Sequence, residues 1–164
     1  MRFSIEQSVA VDPAAAISAY ANPAFYEGRE ARDNISIIEV PRHQRNGDQV
    51  VMEVRFRFSG AVSSAVRAVV DPKKMTWITR SEIDLAAQRS QWTIVPDHYP
   101  NRLSGHGQYR FSPGATEAST TIAIEGELKV HVPLVGGTVE RVIVSGLRSY
   151  IGYEVTLIPD VPPL

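Results

Sequence analysis

The chain has 164 residues, 43% of them hydrophobic and 21% charged, with a formal net charge of −1 at pH 7. Those are globular proportions, sufficient for one large core, and Lys and Arg form no basic block of the kind that binds nucleic acid electrostatically. The absence of cysteine excludes disulfides, thiolate nucleophiles and Cys-based zinc or iron–sulfur sites.

Residues 2–11, "RFSIEQSVAV", alternate apolar and polar, so Phe3, Ile5, Val9 and Val11 predict one face of a first strand. No continuous apolar stretch follows the initial basic residue, and no run of about 20 apolar residues occurs anywhere. The expectation is a cytoplasmic protein without signal peptide or membrane insertion. "DPAAAISAYANPAFYEG" opens a helix with Asp12 as N-cap and Pro13 at its first position. Asn22-Pro23 breaks it, and "PAFYEGREARD" predicts a second short helix ending before Asn34.

From residue 35 the strand signal returns. "ISIIEVPRHQ" and "QVVMEVRFRFSG" flank Arg45-Asn46-Gly47-Asp48, and Asn-Gly between apolar runs marks a hairpin. In the second of these strands Met52, Val54, Phe56 and Phe58 share one face, and Glu53, Arg55 and Arg57 the other. Residues 61–72 fit a short helix or an interrupted strand equally well. "MTWITRSEID" and "RSQWTIVPD" predict two strands joined around Leu85–Gln88, followed by "NRLSGHGQYRFSPG" and a longest strand, "STTIAIEGELKVHV". Val139, Val142, Ile143 and Leu147 then recur at helical spacing, predicting a final helix over about Val135–Ile158, roughly 36 Å long. Pro133 and the pair Gly136-Gly137 predict a sharp reversal between that last strand and the helix. Neither repeat nor linker divides the chain, so residues 1–164 are read as one domain. A run of antiparallel strands with helix partners is an α+β arrangement.

This pattern resembles the helix-grip fold of the START-like superfamily, which includes birch-pollen-allergen-like proteins, polyketide cyclases and lipid-transfer domains. More narrowly, "LKVHVPLVGGTVERVIVSGL", with its Glu140-Arg141 pair, resembles the strand–helix junction of an uncharacterised bacterial family within it. The resemblance covers essentially the whole chain. It implies a curved antiparallel sheet of about seven strands, two short helices, and a long C-terminal helix enclosing a mostly apolar cavity. Superfamily members use that cavity for lipids, sterols, polyketides, quinones or hormones. It carries over no catalytic residue.

Each candidate residue also has a plainer role. His43, His98, His106 and His131 are scattered, never three or four apart, so no metal site and no cofactor is expected, and His106 and His131 have solvent parity. Gly105 and Gly107 read as a bend in a curling strand rather than a phosphate loop. No Gly-x-Ser-x-Gly elbow exists, and Val62–Val66 lacks its glycines. Phe56, Phe58, Trp77, Trp92, Tyr109 and Phe111 all fall on the apolar parity of their strands, as core fillers or as cavity wall. The last helix adds Val139, Ile143, Leu147, Tyr150 and Glu154, together with Ile151. Tyr150 and Glu154, four apart, are the expected polar groups of the cavity, while Arg80 and Arg110 have solvent parity. Gly146 and Gly152 cost the helix about 1 kcal/mol each, which suits a close approach or space for a ligand.

Three functions follow. The first is a carrier of a small hydrophobic or amphipathic ligand (lipid, polyketide or quinone-like), without catalysis and as monomer or homodimer. The second is a cyclase- or dehydratase-type enzyme using Tyr109, Tyr150 and Glu154. The third is a protein-interaction module with a vestigial cavity. Converging polar groups with a perturbed carboxyl favour the enzyme, a uniformly apolar pocket the carrier, and a filled core with an exposed apolar patch the module.

Overall fold

The computed structural model describes residues 1–164 apart from Val62, Val69, Glu117 and Pro163 and the side chains of Ala65 and Val66. Seven strands run in chain order: β1 (Arg2–Val9), β2 (Ile35–Asn46), β3 (Gln49–Phe58), β4 (Thr76–Asp84), β5 (Arg89–Pro96), β6 (Leu103–Pro113) and β7 (Thr120–Val130). The helices are α1 (Pro13–Tyr20), α2 (Ser64–Arg67) and α3 (Gly136–Leu157). The strands form one antiparallel sheet in the order β1-β7-β6-β5-β4-β3-β2, a six-strand meander closed by β1 against β7.

Local chemistry explains these elements. Asp12 Oδ1 accepts from the backbone N–H of Ala14 and Ala15, both at 3.0 Å, and caps α1 as its sequence position predicts. The β2–β3 hairpin has a two-residue loop, with Gly47 at φ +61° between the paired Asn46 and Gln49. A positive φ at the first loop position is the requirement that glycine meets in such turns. In β3, Val50, Met52, Val54 and Phe56 are buried. Of the ambiguous segment 61–72, Ser64–Arg67 form a single helical turn and Pro72 opens a 3₁₀ turn, Pro72–Lys74, while the other described residues are irregular; Val62 and Val69 lie outside the described residues.

Two expectations need correction. The second short helix is only a 3₁₀ turn, Pro23–Phe25, capped by Asn22 Oδ1 on Ala24 N–H at 3.0 Å. Gly28 at φ +69°, then Asp33 and Asn34 at φ 51° and 65°, turn the chain away from a continued helix. At the strand–helix junction, ladder pairing ends at Val130 rather than at Pro133. The left-handed residue there is Leu134, at φ 69° and fully exposed, not a glycine. Gly136 serves a different purpose. A Cβ there would sit 2.4 Å from the Val130 carbonyl oxygen, so a glycine lets α3 start against the end of β7. Gly137 has open space around it and an ordinary backbone. Glu140 pairs with the junction rather than with Arg141: its Oε1 accepts from Val130 N–H at 2.9 Å, which holds its carboxyl below the usual range.

The tight core lies where α3 approaches β7 and β1 and where α1 covers β6 and β7. Ile5, Ile17, Phe25, Ile122, Ile124 and Ile151 are almost wholly buried there. Over β3, β4 and β5, α3 stands off from the sheet, and the half-buried Phe58, Trp77 and Ile94 border the gap.

Candidate functional site

That gap is a cavity of ≈ 210 Å³ between the concave sheet and α3. Strands β3 to β7 supply its floor, including Val54, Phe56, Phe58, Trp77, Trp92, Ile94, Leu128 and Val130. Helix α3 supplies its roof through Val139, Val142, Ile143, Gly146, Leu147 and Tyr150. The exposed Asp33, Lys74 and His98 mark a mouth, and the buried Tyr20, Tyr26, Ser81, Tyr150 and Glu154 mark the inner end.

The floor has a built hollow. Across four strands the register places Phe3, Gly126, Gly107 and Trp92 side by side. A Cβ on Gly107 would lie 2.1 Å from the Glu125 carbonyl oxygen and 2.6 Å from Trp92 Cζ2; one on Gly126 would lie 2.6 Å from the same ring atom. The glycine pair therefore makes room for the indole, which stacks on Phe3 with centroids 6.2 Å apart. Gly107 thus serves this hollow, while a Cβ on Gly105 would meet Ile94 Cδ1 at 2.8 Å. Trp77 stacks on Phe56 at 5.6 Å, and Phe56 meets Tyr150 edge-on at 6.2 Å, so floor and roof touch through aromatic rings.

At the inner end, Arg29 Nη1 donates to Glu154 Oε1 at 3.1 Å, with both side chains under a tenth exposed. Arg29 also lies over the Phe25 ring at 3.7 Å, a cation–π contact that helps hold a guanidinium out of water. Burial pushes the Glu154 carboxyl up to about 7 and Arg29 pulls it only part of the way back. Desolvation of the pair outweighs its attraction. Burial likewise raises the phenols of Tyr20, to about 12, and of Tyr26, Tyr109 and Tyr150, with the Glu154 charge adding to each. They are neutral hydroxyls at any physiological pH. Tyr26 Oη donates to the Tyr20 carbonyl at 3.2 Å, and the Tyr20 ring stacks on Tyr109 at 5.0 Å. Tyr150 Oη lies close enough to Glu154 and Arg29 to feel both charges, yet makes a well-formed hydrogen bond to neither.

The residues expected from the sequence to contact a ligand line this cavity, except Phe111. Phe56, Phe58, Trp77, Trp92 and Tyr109 come from the sheet, and Val139, Ile143, Leu147, Tyr150 and Glu154 from α3. Phe111 packs behind them, 5.7 Å from the Tyr20 ring and beside Ile122 and Val155. Gly146 faces open space on the cavity, whereas a Cβ on Gly152 would come into ordinary contact with the Gln7 side chain. Arg80 pairs with Glu82 at 3.3 Å and Arg110 is exposed, both outside the cavity. Among the described residues no group of three His, Asp or Glu converges on a metal-sized space. No helix among them is long and apolar enough to cross a membrane. Sequence reasoning missed Arg29, Tyr20 and Tyr26. Tyr20 carries the apolar signal of α1, but Arg29 sits in "EGREARD", where nothing distinguishes an inward arginine from solvated neighbours.

A curved antiparallel sheet gripping one long helix around a cavity is the helix-grip fold of START-like proteins. Solved structures with this architecture include the Zhui aromatase/cyclase from Streptomyces sp. R1128, at 10% identity and TM-score 0.59 over 98% of this chain and 92% of that one. A truncated norcoclaurine synthase from Thalictrum flavum is similar at 13% identity and TM-score 0.61, over 96% and 92%. A START superfamily protein from Mycobacterium smegmatis is similar at 12% identity and TM-score 0.57, over 96% and 98%. At such identities the likeness is one of fold. No curated protein sequence matches. The chain belongs to the family described as "Protein of unknown function (DUF2505)", whose profile matches residues 4–158.

Proposed function

We propose that residues 1–164 act as one unit that binds a small hydrophobic or amphipathic molecule between the sheet and α3, without transforming it. The observation that carries this reading is the ≈ 210 Å³ cavity itself, apolar through its middle and roofed by α3. Packed interiors leave few voids larger than a water molecule. A space of this size, bordered by half-buried Phe58, Trp77, Ile143 and Leu147, is what a ligand would fill.

A second reading has its own observation. Glu154, raised to about 7 and one helical turn from the Tyr150 hydroxyl, is poised to exchange a proton near neutral pH. In that case the molecule would be altered in the cavity by acid–base chemistry.

One experiment addresses both. The protein is purified without a tag, its mass is measured natively and then after denaturation, and any released compound is identified. A stoichiometric small molecule lost on denaturation supports the carrier. If that molecule, added back, is recovered changed, the enzyme reading replaces it. Bare protein from several hosts, with no uptake from their lipid and metabolite extracts, refutes both.

A further inference from the structure

The rim of the cavity mouth is a surface with its own chemistry. Three connections meet there: 59–75 between β3 and β4, 97–102 between β5 and β6, and 131–135 between β7 and α3. They are tied to one another. Tyr99 Oη accepts from Asp71 N–H at 3.1 Å, and the Arg102 carbonyl accepts from His131 N–H at 2.8 Å. Together with the first turns of α3, as far as Val142, they carry five bases (Arg67, Lys73, Lys74, Arg102 and Arg141) and three acids (Asp71, Asp97 and Glu140). The rim is therefore +2 in a chain of −1, which leaves −3 for everything else.

Pairing sharpens this asymmetry. Asp97 Oδ1 is held by Arg55 Nη2 at 3.2 Å, the Glu140 carboxyl accepts from Val130 N–H at 2.9 Å, and Asp71 Oδ1 accepts from Lys73 N–H at 3.0 Å. None of the five bases has an ion-pair partner among the described residues. Among the charges stand aliphatic side chains that the chain itself does not cover. Val142 is 57% exposed, and Leu134 is fully exposed on a left-handed backbone at φ 69°. Burial within the protein does nothing to offset the strain of that leucine.

Two projecting aliphatics make no contiguous face of the size that a stable protein interface buries. They suit the boundary of a bilayer, where an apolar tip enters a few ångströms while bases meet anionic headgroups. We propose that the cavity mouth is a peripheral docking surface for a bilayer containing anionic phospholipid. Leu134 and Val142 enter the headgroup region, and the five bases lie against the headgroup charges. Docked in this way, the cavity opens toward the hydrocarbon, and an apolar molecule passes between the two without crossing water. The docking needs no ligand in the cavity, so it stands or falls separately from the binding function proposed above.

The test is co-sedimentation of the purified full chain with vesicles of phosphatidylcholine alone, or of phosphatidylcholine and phosphatidylserine at two to one. The wild type is expected to partition onto the anionic vesicles about ten-fold more strongly or better, and to come off in about 1 M salt, where the screening length falls to about 3 Å. Each base near anionic headgroups strengthens attachment about five-fold, so Lys73→Gln with Arg141→Gln should weaken it about thirty-fold. Leu134→Asn keeps a residue that tolerates the left-handed backbone and should weaken attachment about ten-fold, with an unchanged circular dichroism spectrum. Arg89→Gln with Arg110→Gln makes the same charge change at the opposite ends of β5 and β6. It should weaken attachment less than about two-fold, because charges beyond a screening length contribute little. Equal partition onto the two kinds of vesicle, or none onto either, overturns the proposal. So does an equal loss from the rim pair and the distant pair. If the protein ignores both vesicles while its rim bases retain it on poly-glutamate, the partner is an acidic protein and the bilayer is excluded.

Discussion

Replacing Glu154 with Gln separates two physical accounts of the buried Arg29–Glu154 pair. If desolvation dominates, the carboxyl titrates in the folded protein at about 7 rather than at 4.5. At about 1.36 kcal/mol for each pH unit, ionising it costs the fold on the order of 3 kcal/mol. The sign follows from proton counting. Between these two values the folded chain binds more protons at Glu154 than the unfolded chain, so this group makes stability fall as pH rises from about 4.5 through 7. Gln mimics the protonated carboxyl and has no titration. Glu154→Gln should therefore resemble the wild type near pH 4.5 and become the more stable protein at pH 8. From pH 5 to pH 8 the gap should open by on the order of 2–3 kcal/mol. Urea unfolding followed by tryptophan fluorescence at several pH values measures it. A gap independent of pH, or a variant that loses stability at pH 8, would show that the Arg29 attraction wins and that the carboxylate is the resting form.

Further predictions concern the backbone. Gly136→Ala, which drives a Cβ against the Val130 carbonyl, should cost about 1–3 kcal/mol, whereas Gly137→Ala, with open space, should be neutral or stabilising by up to about 1 kcal/mol; parallel urea melts decide. Leu134→Gly relieves a left-handed residue worth about 1–2 kcal/mol against a glycine entropy cost of about 0.5–1 kcal/mol, so unfolding stability should rise slightly. A clear loss would mean that the exposed Leu134 side chain has a packing role. Gly107→Ala should cost about 1–3 kcal/mol and shift Trp92 emission, because the added methyl meets both the Glu125 carbonyl and the indole. Unchanged emission would remove the glycine hollow from the account.

Much of the fold was legible because strand and helix periods are local signals. The alternation of β3, the cap at Asp12 and the stripe on α3 each depend on neighbouring residues only. Parity likewise identified the cavity wall, since a residue's face in a strand is set by counting. Phe111 shows the limit: it shares parity with Tyr109, but α1 covers its end of β6 and places it in solid core. The run after Phe25 reads as a helix because no strand-like alternation opposes it, while the left-handed residues that break it, Gly28, Asp33 and Asn34, are set by tertiary structure. The same run hid Arg29, whose inward course is visible only once Glu154 lies opposite. At the junction, two adjacent glycines suggested a tight turn. The turn falls on Leu134, and only Gly136 is needed, for a close approach across the chain.

The central claim is that a ligand enters between the sheet and α3, and it is tested most directly by closing that space from the roof. Gly146 lines the cavity and has no atom within 4 Å of where its Cβ would be, so Gly146→Leu should fill the space with little disturbance of the helix. With Trp92→Phe as background, 2-acetylnaphthalene is titrated while the emission of Trp77, on the cavity floor, is followed. The account predicts saturable quenching of Trp77 and, after Gly146→Leu, binding weakened at least ten-fold with an unchanged circular dichroism spectrum. Equal binding by both proteins with Trp77 silent throughout would place the compound on the surface and contradict the account.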